Sequence, residues 1–479
     1  MNAARPPDGV HGQARQGAGG PARAARPPEG VLLAFYGDDF TGSTDAMEVL
    51  AGNGLDTLLF LDLPDAGRLR AACRRHHAIG IAGTSRAKDV AWMDRELPAV
   101  YERLGQAGAA ICHYKVCSTF DSSPAVGNIG RAIEIGRRCL GAQLPVPMVV
   151  GAPAMRRYTV FGQLYAGVGE AIYRIDRHPT MSVHPVTPMH EADLRLHLAS
   201  QAPLSIGLMD VLALGSPDAQ ARMQTQLRDK DVLMLDVLDD ATQARAGELV
   251  WSLAAQARPL FCVGSSGLQY ALVRHWSRLW PETVKPTPHR ADAVDRIVVV
   301  SGSCSPVTGG QIRHALAHGF ADLRADAVAL ASDTGHQQEA DRLLALATRA
   351  LADGLSPLIY TATGPDDPAV ARLNAHIRQH GWDERAALAR MAARKGALLA
   401  RLLRQAPVAR VVVCGGDTSG EVVQALGLSA LRMKARLAPG APLCEAYTDT
   451  EAPPALQIAL KGGQIGDEDY LSVARAGGR

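Results

Sequence analysis

The 479-residue chain has no Cys-x-x-Cys pair, and its eight cysteines are scattered singly. That spacing argues against a structural zinc site, a thioredoxin-like centre and a disulfide scaffold. Aromatics make up only 5%, so the core has to be built mainly from Leu, Val, Ile and Ala. Neither sign of charge dominates: 50 Lys and Arg face 48 Asp and Glu, a formal charge of +2. Binding nucleic acid or an anionic membrane through a basic surface is therefore not expected. No apolar run approaches the roughly 18–20 residues of a spanning helix, and none of about 7–15 residues precedes Val31 as a secretory signal requires. The expected location is the cytoplasm. The sequence also lacks a G-x-x-x-x-G-K-[ST] loop, a G-x-G-x-x-G after the first strand of either half, and a G-x-S-x-G elbow. P-loop NTPases, ordinary Rossmann dehydrogenases and α/β-hydrolases are thereby disfavoured.

Glycine, in contrast, is abundant, with 47 residues that recur just after apolar runs. The recurring pattern is a short β-branched or Leu-rich run, a Gly/Ser/Thr/Asp loop, then a helix-period segment. Strands are expected at 31–36, 111–116, 148–150, 232–235 and 260–263, and again at 296–300, 357–360, 408–414 and 456–461. Helices are expected from about 44, over 129–139, from about 307 and from about 421. Continuous apolar strands alternating with amphipathic helices predict α/β architecture with parallel sheets covered on both faces. Residues 281–293 carry three prolines and mixed charge and read as a linker. The expected organisation is a disordered N-terminal arm at 1–30, rich in Ala, Arg, Pro and Gly, then α/β domains at 31–285 and 294–479. Each domain is expected to be a mainly parallel sheet flanked by helices, with the active-site cleft between the two.

In such sheets ligands bind where loops leave the carboxyl ends of strands. The first loop, Gly37-Asp38-Asp39-Phe40-Thr41-Gly42, sets two carboxylates at the end of a buried strand; one or the other could equally cap the helix that follows. The second, from Tyr114-Lys115 through Cys117, Ser118, Thr119 and Asp121 to Pro124, offers a cation, hydroxyls and a carboxylate. That set suits a small polyhydroxy carboxylate, and an ordinary Ser-rich turn is the plainer alternative. Arg156 could add an anion contact. His184 and His190, on a proline-broken loop, match no standard metal-ligand spacing; Thr187 as a helix cap is the preferred reading there, with a substrate contact from this loop as the alternative. In the second half, Ser301-Gly302-Ser303, Gly415-Gly416-Asp417-Thr418 and Lys461-Gly462-Gly463 each follow a strand. Glycine backbone amides and helix N-termini favour phosphate oxygens, and three such loops in one domain point to a nucleotide-phosphate site.

Taken in order, GDDFTG, YKVCSTFDSSP, GAPAMRRYTVFG, HPVTPMHEADLRLHL, SGSCS, CGGDTSG and KGGQIGDEDY resemble the four-carbon acid sugar kinase family over about residues 31 to 475. The STFDSSP loop is more similar to the 3-oxo-tetronate kinases than to threonate or erythronate kinases, and the N-terminal arm is extra to the pattern. The resemblance implies a sugar-acid-binding first domain, with Asp38, Asp39, Lys115, Ser118, Asp121, Arg156 and His184. It implies an ATP-binding second domain, with Ser301, Ser303, Gly415, Gly416, Asp417, Thr418 and Gly463. The implied reaction is ATP-dependent phosphorylation of a terminal hydroxyl, 3-oxo-tetronate giving its 4-phosphate, with Mg2+ accompanying ATP/ADP. Asp417 is then the first choice for the catalytic carboxylate, Asp39 the second, and no protein metal site is expected. The alternatives are a D-threonate/D-erythronate 4-kinase, a non-catalytic sugar-acid sensor, and an aldolase or dehydratase using Lys115 as a Schiff base. A homodimer is left open.

Overall fold

The computed structural model describes residues 26–184, 186–449 and 456–478. Residues 1–25, most of the expected arm, lie outside them. The front half contributes β1 (Leu33–Gly37), β2 (Thr57–Phe60), β3 (Ala78–Ala82), β4 (Ile111–Lys115), β5 (Val146–Val149), β9 (Ile206–Met209), β10 (Val232–Leu235) and β11 (Leu260–Gly264). Between β5 and β9 lies a separate antiparallel flap of β6 (Arg157–Val160), β7 (Gln163–Val168) and β8 (Ala171–Arg174). The rear half contributes β12 (Val298–Ser301), β13 (Phe320–Arg324), β14 (Ser356–Tyr360), β15 (Arg410–Cys414), β16 (Ala430–Ala438), β17 (Ala441–Tyr447) and β18 (Leu456–Lys461).

The α/β expectation holds, with one difference: the two parallel sheets are joined edge to edge. Fifteen strands run in the order β13-β14-β12-β15-β18-β17-β16-β2-β3-β1-β4-β11-β5-β10-β9. All pairs are parallel except β18–β17, β17–β16 and β16–β2. The β17–β16 hairpin reverses the chain direction, so its outer strand presents a free edge to β2, pairing Ala430 with Phe60 and Arg432 with Leu58. Alternation then fixes the core. Leu33, Phe35, Val298, Val300 and Val411 belong to one apolar cluster that runs through both halves on one face. The residues between them divide into a front cluster (Ala34, Tyr36) and a rear cluster (Ile297, Val299) on the other face.

Residues 281–293 form no strand or helix, and they are tied down. Lys285 N and Thr287 N donate to Asn53 O and Gly52 O, and Ala291 N donates to Gly477 O. Two helices begin earlier than expected. The first starts at Phe40, not 44, because Asp39 caps it by accepting from Gly42 N. The second starts at Gly416, not 421, because Gly415 takes φ +114 and turns the chain straight from β15 into the helix.

The helix Phe40–Ala51 packs against β16, β17 and the helix Gly416–Ala425, and so spans the two halves. Its Glu48 Oε2 accepts from Gly440 N at 2.7 Å in the turn between β16 and β17. Burial, then the neighbouring Asp45, push the Glu48 carboxyl up to about 8. The folded chain therefore keeps a proton there that the unfolded chain releases near its ordinary value. The stability from this group is complete at low pH and is lost as pH rises toward about 8. Melting temperatures at acidic and alkaline pH should accordingly show Glu48→Gln gaining on the wild type as pH rises; parallel curves would contradict the shift.

Candidate active site

Four loops of the front half leave adjacent parallel strands in step. Asp38 N donates to Lys115 O (2.9 Å), Val116 N to Gly264 O (2.8 Å) and Ser265 N to Val149 O (3.0 Å). Three of the four loops thus begin hydrogen-bonded to the last carbonyl of the neighbouring strand, and the expected site residues of the first two loops come together. Asp39 is both helix cap and site residue: Oδ1 accepts from Gly42 N, while Oδ2 accepts from Thr41 Oγ1 and pairs with Arg86 at 3.1 Å. Burial opposes its charge, but Arg86 and Lys115 outweigh that and hold the carboxyl below its usual range. Asp38 differs. Burial, then the charge of Asp39, raise it to about 7, against the pull of Arg86 and Lys115. Its Oδ1 is buried with no hydrogen-bond partner among the described residues.

Lys115 is 2% exposed, and its Nζ packs against Gly42 beside Asp39. In the loop after it, Ser118 is buried, and Asp121 accepts from Thr119 Oγ1 and from Thr187 Oγ1 at 3.2 Å. His184 Nδ1 accepts from Thr187 N, so His184 reaches Asp121 through Thr187. Thr187 is not a helix cap; the helix Leu194–Ala199 is capped by Asp193. Arg156 is not brought here. Its left-handed backbone (φ 55) sends the guanidinium to Gly169 O and Ala171 O on the flap, while Arg157 comes within electrostatic range of Cys117.

The rear half repeats the device. Gly302 N donates to Cys414 O and Gly415 N to Lys461 O, both at 2.9 Å, so the three glycine loops stand side by side on β12, β15 and β18. A Cβ on Gly302 would strike Thr418 Oγ1, and one on Gly463 would strike Ser303 Oγ. Ser303 Oγ accepts from Ser305 N, and Ser305 caps the helix Pro306–Leu316. Gln311 of that helix donates to Ile465 O, Gly466 O and Asp467 O and holds the third loop. Ser301 Oγ is buried without a partner among the described residues, and Asp417 lies exposed in the first turn of its helix.

The two sets of loops face each other: Thr41 Cγ2 lies 4.0 Å from where a Cβ on Gly462 would stand. Four contributors had not been expected. Ser266, on the loop after β11, donates to Met155 Sδ at 3.4 Å and favours the charged form of Asp45; the Gly-Ser-Ser-Gly run that holds it, after an apolar strand, was a usable signal. Arg86 and Lys395 join the site through tertiary packing, unmarked by any local pattern, and Lys461 heads a loop that was singled out without itself being taken as a site residue.

Comparison with known proteins assigns the chain. A family model described as a sugar-binding N-terminal domain matches residues 33–272, and one described as a nucleotide-binding C-terminal domain matches residues 298–471. The chain belongs to the four-carbon acid sugar kinase family. It is similar to a 3-oxo-isoapionate kinase of Paraburkholderia graminis, 48% identical over 94% of this chain and 95% of that one. A 3-oxo-tetronate kinase of Cupriavidus necator is 35% identical over 92% and 96%. Among solved structures, a Salmonella typhimurium LT2 protein provisionally named a tRNA synthase superposes with TM-score 0.76 at 25% identity, covering 93% of this chain and 99% of that one. The family and the homologue names make this protein a kinase acting on sugar acids, and kinase chemistry implies ATP. No described helix is long and apolar enough to cross a membrane.

Gly42 offers a specific test of the front loops. A methyl group there would collide with Lys115 Nζ and Asp39 Oδ1. The lysine is flexible enough to yield, so Gly42→Ala should fold yet raise KM for the sugar acid at least about tenfold, one lost charge-assisted contact. Steady-state kinetics with an unchanged KM would remove Lys115 from substrate binding.

Proposed function

We propose that the protein transfers the γ-phosphoryl group of ATP to the terminal hydroxyl of a 3-oxo sugar acid held by the front loops. The facing of Thr41 and Gly462 carries this reading, since it sets the acid-and-lysine cluster opposite the glycine loops. Lys115 and Arg86 hold the acid's carboxylate, while Ser118, Asp121 and, through Thr187, His184 receive its hydroxyl groups. The amides of Gly416 and Gly463, with Ser301, Ser303 and Thr418, receive the phosphates, while Gly302 and Gly415, whose amides bond the neighbouring strands, keep the backbone close. The acceptor oxygen attacks the γ-phosphorus, the bond from phosphorus to the ADP oxygen breaks, and the hydroxyl proton passes to a carboxylate.

Asp38 is the best acceptor of that proton: its pKa of about 7 sits near working pH and one of its oxygens is uncommitted. Asp39, held ionised by Arg86, orients the substrate. Among the described residues no group of three or more His, Cys, Asp and Glu is arranged to hold a metal ion. Magnesium arriving with the nucleotide would neutralise phosphate charge, and Asp417, exposed in the first turn of its helix, would be the carboxylate to share it.

The greater identity, 48% against 35%, favours 3-oxo-isoapionate as substrate. The STFDSSP loop keeps 3-oxo-tetronate as the second reading. An ADP-release assay over both acids, D-threonate and D-erythronate decides; release that does not depend on a 3-oxo acid would overturn the assignment. Asp417→Asn should lower kcat and raise the magnesium concentration needed for half-maximal rate, with the melting temperature kept. The wild-type rate should rise through about pH 7 as Asp38 loses its proton, and Asp38→Asn should abolish that limb. A limb surviving in the variant would put the base elsewhere.

A further inference from the structure

Two lysines lie beneath the glycine loops with no carboxylate beside them. Lys395 comes from the middle of the helix Glu384–Gln405 and is 1% exposed. Its Nζ donates to Ser301 O at 2.9 Å and Thr361 Oγ1 at 3.1 Å. Lys461 ends β18 fully buried, and its Nζ donates to Gly462 O at 3.0 Å and Thr308 Oγ1 at 3.2 Å. Every one of these acceptors is neutral. The ionisable groups on neighbouring elements include Cys304, Cys414, Asp367, Asp417, Glu421 and Tyr470, whose ring centroid lies 5.7 Å from Lys461 Nζ. Cys304 acts on Lys395, and Cys414 on Lys461. Asp367 is taken by Arg324, Thr363 and Ala369 N.

A buried ammonium without a counter-charge is costly, and ordinary proteins pair it or neutralise it. Here two of them lie under the same three loops, beside the uncommitted Ser301 hydroxyl. We propose that Lys395 and Lys461 are positioning residues of the phosphate site, buried cations that hold its loops from below and whose counter-charge is the polyphosphate of the bound nucleotide. The inference rests on the nucleotide reading given above and adds the source of the site's charge. Neither Nζ reaches the surface, so both act through the loops: Lys395 through the Ser301 carbonyl, Lys461 through Gly462 and Thr308. Deep in the fold they attract the phosphates with little screening by salt.

Charge linkage gives a measurable signature. Burial lowers Lys395 to about 8 in the free protein. An anion bound above it favours the charged form, so binding at alkaline pH must take up a proton. Below that value the lysine is already charged, and affinity is level; above it, affinity falls. Calorimetry of ADP binding in buffers of different ionisation enthalpy should show proton uptake at about pH 9 that is absent at about pH 7.

The second arm is Lys395→Met, which keeps the stem and removes the charge. It should weaken ADP at least about tenfold, within the range for a charge-assisted contact, abolish the alkaline proton uptake, and leave the melting temperature of the ligand-free protein equal or higher. A purely structural lysine gives the opposite, a lower melting temperature with affinity unchanged. That outcome, or wild-type protein binding ADP without proton uptake at either pH, overturns the proposal. If Lys395→Met does not fold, the wild-type proton count decides alone. Wild-type protein that binds no ADP at all would instead overturn the nucleotide reading itself.

Discussion

Both sides of the site depend on parallel strands that end in step. Where one strand stops, the first amide of its loop donates to the last carbonyl of the next strand: Asp38 to Lys115 and Val116 to Gly264 in front, Gly302 to Cys414 and Gly415 to Lys461 behind. Loops from distant parts of the chain are thereby aligned to within a hydrogen bond before any side chain contributes. The antiparallel strands β16 and β17 join the two half-sheets, and the two rows of loops meet at Thr41 and Gly462.

The two rows handle charge in opposite ways. In front, acids and bases are crowded together: Asp39 is kept ionised by Arg86, and beside it burial leaves Asp38 reluctant to ionise. A polar substrate entering there meets groups whose charges are already balanced against each other. Behind, the loops offer bare amides over two buried lysines, and the balance is completed only from outside. Hydroxyl recognition suits the first arrangement, and a highly charged phosphate chain suits the second.

Much of this was legible in the sequence, because continuous apolar runs followed by Gly, Ser or Asp have few other structural uses. The helix Ile129–Cys139 and the strands Val232–Leu235 and Leu456–Lys461 agree with expectation to the residue. The loops at 37–42, 115–121, 301–303, 415–418 and 461–463 were likewise marked by their own composition. What was not legible depends on distant neighbours. The short Thr57–Phe60 and the alternating Ala430–Ala438 say little until each is the other's partner. Lys395 reads as one more cation on an amphipathic helix; only packing shows it buried beneath Ser301. Of the paired arginines, the backbone of Arg156, with φ 55, turns the first outward and leaves Arg157 facing in.

The seam between β2 and β16 bears on how the chain is made. Phe60 is synthesised long before Ala430, its partner across the seam. Until then the nascent front half carries a raw sheet edge, the kind of surface on which newly made chains stick to one another. Cutting the gene at the linker would make that exposure permanent, so the two lobes, though matched by separate family models, are poor candidates for independent expression.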